Sequence, residues 1–219
     1  MVDLIRGLRA EHVAANLDRV REEIAGSGRD PDTVQILAAV KYLPSEELGV
    51  LAEAGLELVG ENRAQDLVAK AEVYPAFTWD FIGHLQSRKV RQLLPYVRYI
   101  QSVASDSALE QLGRYGSPDT RVLVEVNVAG ETDKSGIAPS ELTGFIERCP
   151  VRVAGLMTMP PLARKPEDSR PHFAALRELA ERHSLAELSM GTSQDYLVAV
   201  GEGATIVRLG TRLYASKSP

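Results

Sequence analysis

VQILAAVKYLPSEEL, residues 34–48, decides how the rest of the chain is read. From Val34 to Val40 it is apolar almost throughout, as a parallel strand covered on both faces should be. It then delivers a charge at Lys41 and turns at Pro44. Ser45, Glu46 and Glu47 suit the first turn of a helix, and Gly55 suits its end. Strand, turn and helix in under 25 residues make one βα unit.

The pattern repeats outward. Further short runs rich in Val, Ile and Leu begin at Leu56, Trp79, Tyr99, Arg121, Val151, Leu185 and Ala204. APSELTGFIERC and KPEDSRPHFAALRELAERH between them carry helix signals. With the first run this gives eight strand candidates, their starts 19 to 34 residues apart. That is the period of a βα unit, and eight of them close a (β/α)8 TIM barrel, an α/β fold. The competing arrangement is an open doubly wound sheet, which a G-x-G-x-x-G turn would favour and which this sequence lacks. Residues 3–27 read as an extra N-terminal helix, with Val13, Leu17, Val20 and Ile24 on one stripe. It is expected to plug the barrel or cover a face. With no linker or repeat, residues 1–219 are expected to be one domain.

Apolar residues make up 44% of the chain and charged residues 25%, with a net charge of −5. Nucleic acid as a main partner is disfavoured, since phosphate binding needs a basic surplus or face. The single cysteine, Cys149, allows no internal disulfide and is expected to be a buried, inert thiol. No apolar stretch approaches membrane-spanning length, and the N-terminus lacks the apolar core of a signal peptide. A cytoplasmic location follows as the expectation.

Barrel active sites lie at the carboxyl ends of the strands. Lys41 closes the first of them, where apolar walls are expected to desolvate it, disfavour its charge and make it a nucleophile towards carbonyls. The last two strands end in SMGTS, residues 189–193, and RLGT, residues 208–211. Both are small turns that bear glycine and hydroxyls. Barrels commonly bind phosphate from the loops after strands seven and eight. A Schiff-base lysine facing a phosphate cradle describes a sugar-phosphate aldolase or a pyridoxal phosphate protein. Arg208, on the face of the eighth strand that looks inward, bears on that choice. Its partner is either a pyridine nitrogen, kept unprotonated by a donor-only guanidinium, or an internal carboxylate such as Glu125 or Glu61.

AAVKYLP, GENRAQD, DFIGHLQSRK, VLVEVNVAGETDKSGI, VAGLMTM, SMGTSQDY and IVRLGTRLY, in that order from about residue 3 to 215, resemble the pyridoxal phosphate homeostasis protein family. Its members are similar to the barrel of alanine racemase. The resemblance implies that Lys41 holds pyridoxal 5'-phosphate as a Schiff base and that Asn62 lies beside its ring. It implies that Arg208 faces the pyridine nitrogen, and that Met190, Gly191, Thr192 and Ser193 together with Gly210 and Thr211 hold the phosphate. Met157 and His84 are expected to line the pocket. Asp106 stands two residues later than the family pattern, and Glu131 to Gly136 resembles a family loop over the mouth. The other carboxylates of EVNVAGETDKSG are expected to be loop and capping groups.

Racemisation needs an acid or base on each face of the planar cofactor adduct. Lys41 can serve one face. In alanine racemase the opposite tyrosine comes from the partner's additional domain, for which no room is expected after Thr211. Tyr42 is expected to point away from Lys41 by strand alternation, and Tyr196 and Tyr214 lie past the turns. The expectation is a cofactor carrier in pyridoxal phosphate homeostasis, delivering to apo-enzymes and not itself an enzyme, as a monomer. A racemase of low activity and a cofactor-free Schiff-base aldolase remain the alternatives.

Overall fold

The structure, a computed structural model, describes residues 4–132 and 134–215. Eight parallel strands close a barrel in chain order: β1 (Gln35–Ala39), β2 (Leu58–Glu61), β3 (Thr78–Phe81), β4 (Val97–Val103), β5 (Arg121–Glu125), β6 (Arg152–Met157), β7 (Glu187–Thr192) and β8 (Ile206–Leu209). Strand β1 pairs with both β2 and β8, which shuts the ring and excludes the open sheet. Each strand is followed by a helix: α2 (Leu48–Glu53), α3 (Ala64–Val73), α4 (Val90–Leu93), α5 (Asp106–Tyr115), α6 (Leu142–Arg148), α7 (Arg170–Arg182), α8 (Tyr196–Gly201) and α9 (Thr211–Tyr214).

The leading helix, α1 (Ala10–Gly26), buries Val13, Leu17, Val20 and Ile24 as their spacing predicts. It starts later than residue 3 because the segment before it is held otherwise. The N–H groups of Gly7 and Leu8 donate to the Glu47 carboxylate at 2.7 and 3.0 Å, and Ile5 N–H donates to the Tyr42 carbonyl at 2.9 Å. Gly7 also has φ +71°, which a helix does not accommodate. Helix α1 packs outside the sheet on α2, α8 and α9, so it covers a flank and plugs nothing. Its Glu23 carboxylate accepts from Tyr196 Oη on α8 and pairs with Arg212 on α9.

Strand alternation divides the side chains. Outward-facing residues such as Ala38, Val59, Met190 and Val207 join the layer between sheet and helices. Inward-facing Leu37, Tyr99, Leu123, Met157 and Ile206 form a second, smaller cluster inside the barrel. Cys149 is half-buried, and burial pushes its thiol pKa up, in keeping with an inert group.

One buried ion pair ties the first two loops together. Lys70 on α3 donates to Glu61 at 2.5 Å and to the carbonyl of Val40 at 2.8 Å. The other Glu61 oxygen accepts from the N–H of Asn62 at 2.6 Å and of Arg63 at 3.3 Å. Lys70→Met leaves that carboxylate buried without its cation, which should destabilise the fold by about 3–5 kcal/mol. Urea unfolding of the two proteins measures it, and a change below about 1 kcal/mol would contradict the structural importance of the pair.

Candidate functional site

A cavity of about 480 Å³ opens at the carboxyl ends of the strands, a volume typical of small-molecule sites. Its lining includes Lys41, Asn62, His84, Met157, Thr192, Ser193, Arg208, Gly210 and Thr211. Nine candidate residues from six loops or strand ends therefore converge on one space. Among the described residues, no group of His, Cys, Asp or Glu side chains could hold a metal ion, and no helix is long and apolar enough to cross a membrane.

Lys41 lies in the turn just past β1. The desolvating walls expected around it are absent: the side chain is exposed in the mouth, and its Nζ lies 4.7 Å from the ring centroid of Tyr42. Tyr42 therefore accompanies Lys41 instead of pointing away. Alternation by two holds within a strand, and these residues have already left it. Tyr214 also reaches the cavity, with Oη donating to the carbonyl of Ala39 at 3.3 Å, and burial pushes its pKa far above the usual phenol.

Asn62 opens the loop after β2. Its side-chain Oδ1 is buried and has no hydrogen-bond partner, an unusual state for a polar atom inside a protein. Gly83 presses directly on it from the next loop: a Cβ at Gly83 would stand 1.9 Å from the Asn62 carbonyl oxygen. His84, the following residue, is exposed at the rim. Met157 is buried inside the barrel and forms part of the cavity floor.

Arg208 is 6% exposed. Its Nη1 donates to the carbonyl and hydroxyl of Ser189 at 3.1 and 2.8 Å, and Nη2 donates to the carbonyl of Thr158 at 2.8 Å. Nε–H has no protein partner among the described residues. Neither carboxylate expected as an ion-pair partner takes that place. Glu61 is bound to Lys70, and Glu125 accepts from Ser135 Oγ at 2.6 Å. Burial pulls the Arg208 pKa down to about 10, opposed by the charges of Glu125 and Asp195, so the guanidinium stays protonated at neutral pH.

The two terminal turns interlock. β7 carries one extra residue relative to β8 between Ser189 and Thr192, a bulge that includes Gly191 at φ +89°. A Cβ there would meet that of Ala199 at 2.6 Å, so the turn requires glycine. Ser193 Oγ accepts from the N–H groups of Gly210 at 3.2 Å and Arg212 at 3.3 Å, which leaves its own proton to donate. Thr211 opens α9, where its N–H has no carbonyl one turn earlier. The four residues from Met190 to Ser193 are not equivalent. Met190 is buried outside the barrel and does not line the cavity, and the N–H and hydroxyl of Thr192 are both given to Asp195 at 2.7 and 3.0 Å.

Several lining residues went unassigned from the sequence: Tyr42, Ser102, Gln194 and Tyr214. Glu125 was readable, since alternation in RVLVE places it on the same face as Leu123. It is a buried cavity residue, which fits the internal carboxylate of one expectation and not the loop or capping group of the other. The Glu131–Gly136 loop does fold beside the mouth, held by Asn127 Nδ2 donating to the Glu131 carbonyl at 2.7 Å, and its residue 133 lies outside the described ones. Asp106 sits on the outer surface, 3.1 Å from Arg148, because Ser105 has become the cap of α5.

The family model described as the alanine racemase N-terminal domain matches residues 8–218 of this chain. A pyridoxal phosphate homeostasis protein of Aquifex aeolicus is 37% identical, over 94% of this chain and 97% of that one. The structure of PipY from Synechococcus elongatus with PLP bound superposes with a TM-score of 0.78 at 31% identity, covering 93% of this chain and all of PipY. Alanine racemase of Corynebacterium glutamicum shares the fold, with a TM-score of 0.75 at 15% identity, 99% of this chain covering 64% of that one. The chain belongs to the pyridoxal phosphate homeostasis protein family.

Proposed function

We propose that this protein binds pyridoxal 5'-phosphate in the barrel mouth, joined through its aldehyde to Lys41, and acts as a reversible holder of the cofactor in pyridoxal phosphate homeostasis. The observation that carries the reading is the donor set of the cavity. A primary amine, a protonated Arg208 with one N–H left over, a Ser193–Gly210–Thr211 turn with free donors, and Asn62, whose side-chain oxygen is buried without a partner, all line one space. An aldehyde, a ring with polar substituents and an aromatic nitrogen, and a phosphate match these groups one for one. When bound, such a cofactor supplies an electrophilic carbon for amines and a ring that can spread charge. The PLP bound to PipY supports the reading and weighs against a cofactor-free aldolase.

The chain's own residues favour holding over turnover. Tyr42 lies against the Lys41 amine, on the same side of the mouth. Tyr214 is a poor proton acceptor because its Oη is buried and already donating. Neither supplies a base opposite Lys41. Arg208 is a donor, not an acceptor, for a ring nitrogen. We extend the reading to the whole chain, residues 1–219, as a single cofactor-binding barrel domain. On this reading it works as a monomer in the cytoplasm and delivers its cofactor to apo-enzymes.

The test is ligand discrimination. The double variant Ser193→Ala, Thr211→Ala should weaken pyridoxal phosphate by about a hundred- to ten-thousandfold, as expected for loss of two charge-assisted hydrogen bonds. Pyridoxal, which has no phosphate, should bind almost as before. Spectral titration of both proteins with both ligands measures this, and equal weakening of the two would reject the phosphate assignment.

A further inference from the structure

Behind Arg208 the interior of the barrel is crossed by a line of polar side chains that the cofactor reading does not use. Starting at the mouth, Arg208 Nη1 donates to Ser189 Oγ at 2.8 Å. Ser189 Oγ donates to Gln101 Oε1 at 2.6 Å. Gln101 Nε2 donates to Asp80 Oδ2 at 2.7 Å. Asp80 then receives Arg98 through Nε at 3.0 Å and Nη2 at 2.6 Å, and the N–H of Tyr99 at 3.2 Å. Ser189, Gln101 and Asp80 are buried on β7, β4 and β3, while Arg98 is partly exposed at the opposite, amino-terminal side of the strands and also donates to Gln35.

Elementary donor and acceptor counting fixes the direction of every bond in this line. A guanidinium can only donate and a carboxylate can only accept. Asp80 is met by four donors, two on each oxygen, so no room is left for a proton on it. Burial raises its pKa, and the Arg98, Gln101 and Tyr99 donors oppose that rise. Gln101 must therefore turn its N–H₂ towards Asp80 and its oxygen towards Ser189. Ser189 must give its proton to Gln101, which leaves its lone pairs for Arg208. The hydroxyl that meets Arg208 Nη1 is thus oriented from the far end of the barrel, while the carbonyls of Ser189 and Thr158 and, at 2.9 Å, Met159 Sδ take its other terminal hydrogens.

We propose that Gln101 and Asp80 are positioning residues for Arg208: through Ser189 they lock its terminal nitrogens inward and so present its remaining N–H to the ring nitrogen of the bound cofactor. The proposal rests on the cofactor reading above for the identity of the ring, and on geometry alone for the lock. Buried polar chains that are fully satisfied rigidify their members, and a single reversal in this one leaves two acceptors or two donors face to face.

The test uses two probes, pyridoxal phosphate and its deaza analogue, in which C–H replaces the ring nitrogen. The native protein should prefer pyridoxal phosphate. Gln101→Met, nearly isosteric and unable to hydrogen-bond in this way, should reduce that preference about tenfold, the range of one charge-assisted hydrogen bond. Preference for pyridoxal phosphate over pyridoxal should not change, whereas a merely loosened barrel would lose both. Asp80→Asn is a second variant, because its amide can turn an N–H towards Gln101 and reverse the line; it should act in the same direction. A folded variant of either kind that keeps the native preference overturns the proposal. A readout without cofactor separates the two inferences. Exchange of the Arg208 Nε–H with water, followed by side-chain NMR in the apo-protein, should accelerate in both variants at unchanged unfolding midpoint. Unchanged exchange overturns the lock even if the cofactor binds, and absence of pyridoxal phosphate binding by the native protein overturns the functional reading while leaving this measurement decisive for the lock.

Discussion

Lys41→Ala is expected to abolish the visible absorption band that forms when the native protein takes up pyridoxal phosphate. The band requires a covalent bond between an aldehyde and an amine, and Lys41 is the lysine that lines the cavity. The other described lysines nearby are committed. Lys70 is buried against Glu61 and the Val40 carbonyl, Lys134 pairs with Glu131 at 2.7 Å beside the mouth, and Lys89 donates to Gln92 at 3.3 Å. Borohydride reduction of the native complex should fix the cofactor to the peptide that contains Lys41. The variant should still bind the phosphate through Ser193 and Thr211, more weakly and without colour. A label recovered on Lys134 or Lys89 would transfer the covalent role to that residue and overturn the assignment.

The second large effect concerns Arg208. Proton exchange at Cα of an amino acid bound to the cofactor is fast when the ring can accept negative charge, which protonation of its nitrogen favours. On the proposed reading Arg208 sets a positive charge and donors at that nitrogen, so native exchange of alanine Cα with deuterium should fall far below the roughly 1–10³ s⁻¹ of dedicated enzymes. Arg208→Glu is a poor probe, because it would set a carboxylate among the carbonyls of Ser189 and Thr158. Arg208→Gln retains an N–H₂ for one of those carbonyls and offers an oxygen that can accept from a protonated nitrogen. Compared at saturation, it should raise exchange about ten- to a hundredfold, the rate equivalent of one charge-assisted hydrogen bond. Native exchange at enzyme rates would show the protein to be a catalyst instead of a holder.

The fold was readable because its signals are local. Each strand candidate contains or overlaps the strand found, and the stripe Val13, Leu17, Val20 and Ile24 is buried as a stripe should be. The convergence of Lys41 and Arg208 on one cavity followed from their places at strand ends. Two departures have different causes. Tyr42 was placed by extending strand alternation beyond β1's end, where the period no longer applies. Met190 came with the resemblance of the whole SMGTS turn, but it is buried in the outer layer on the far face of β7. The polar line was not readable at all. Ser189 and Gln101 are 88 residues apart, and each looks in sequence like an isolated exception within an apolar strand.

Pairing of β1 with β8 also has a consequence during synthesis. A ribosome releases the amine-bearing turn early, but the walls of its pocket much later: Tyr214 reaches Ala39 across 175 residues, and Arg212 reaches Glu23 across 189. At about 5–20 residues per second, the edge of the first strand that meets β8 waits on the order of ten seconds or more for its partner. During that interval Lys41 is an ordinary exposed lysine without a phosphate cradle. On the proposed reading, capture that uses both the amine and the phosphate turns therefore awaits the closed barrel.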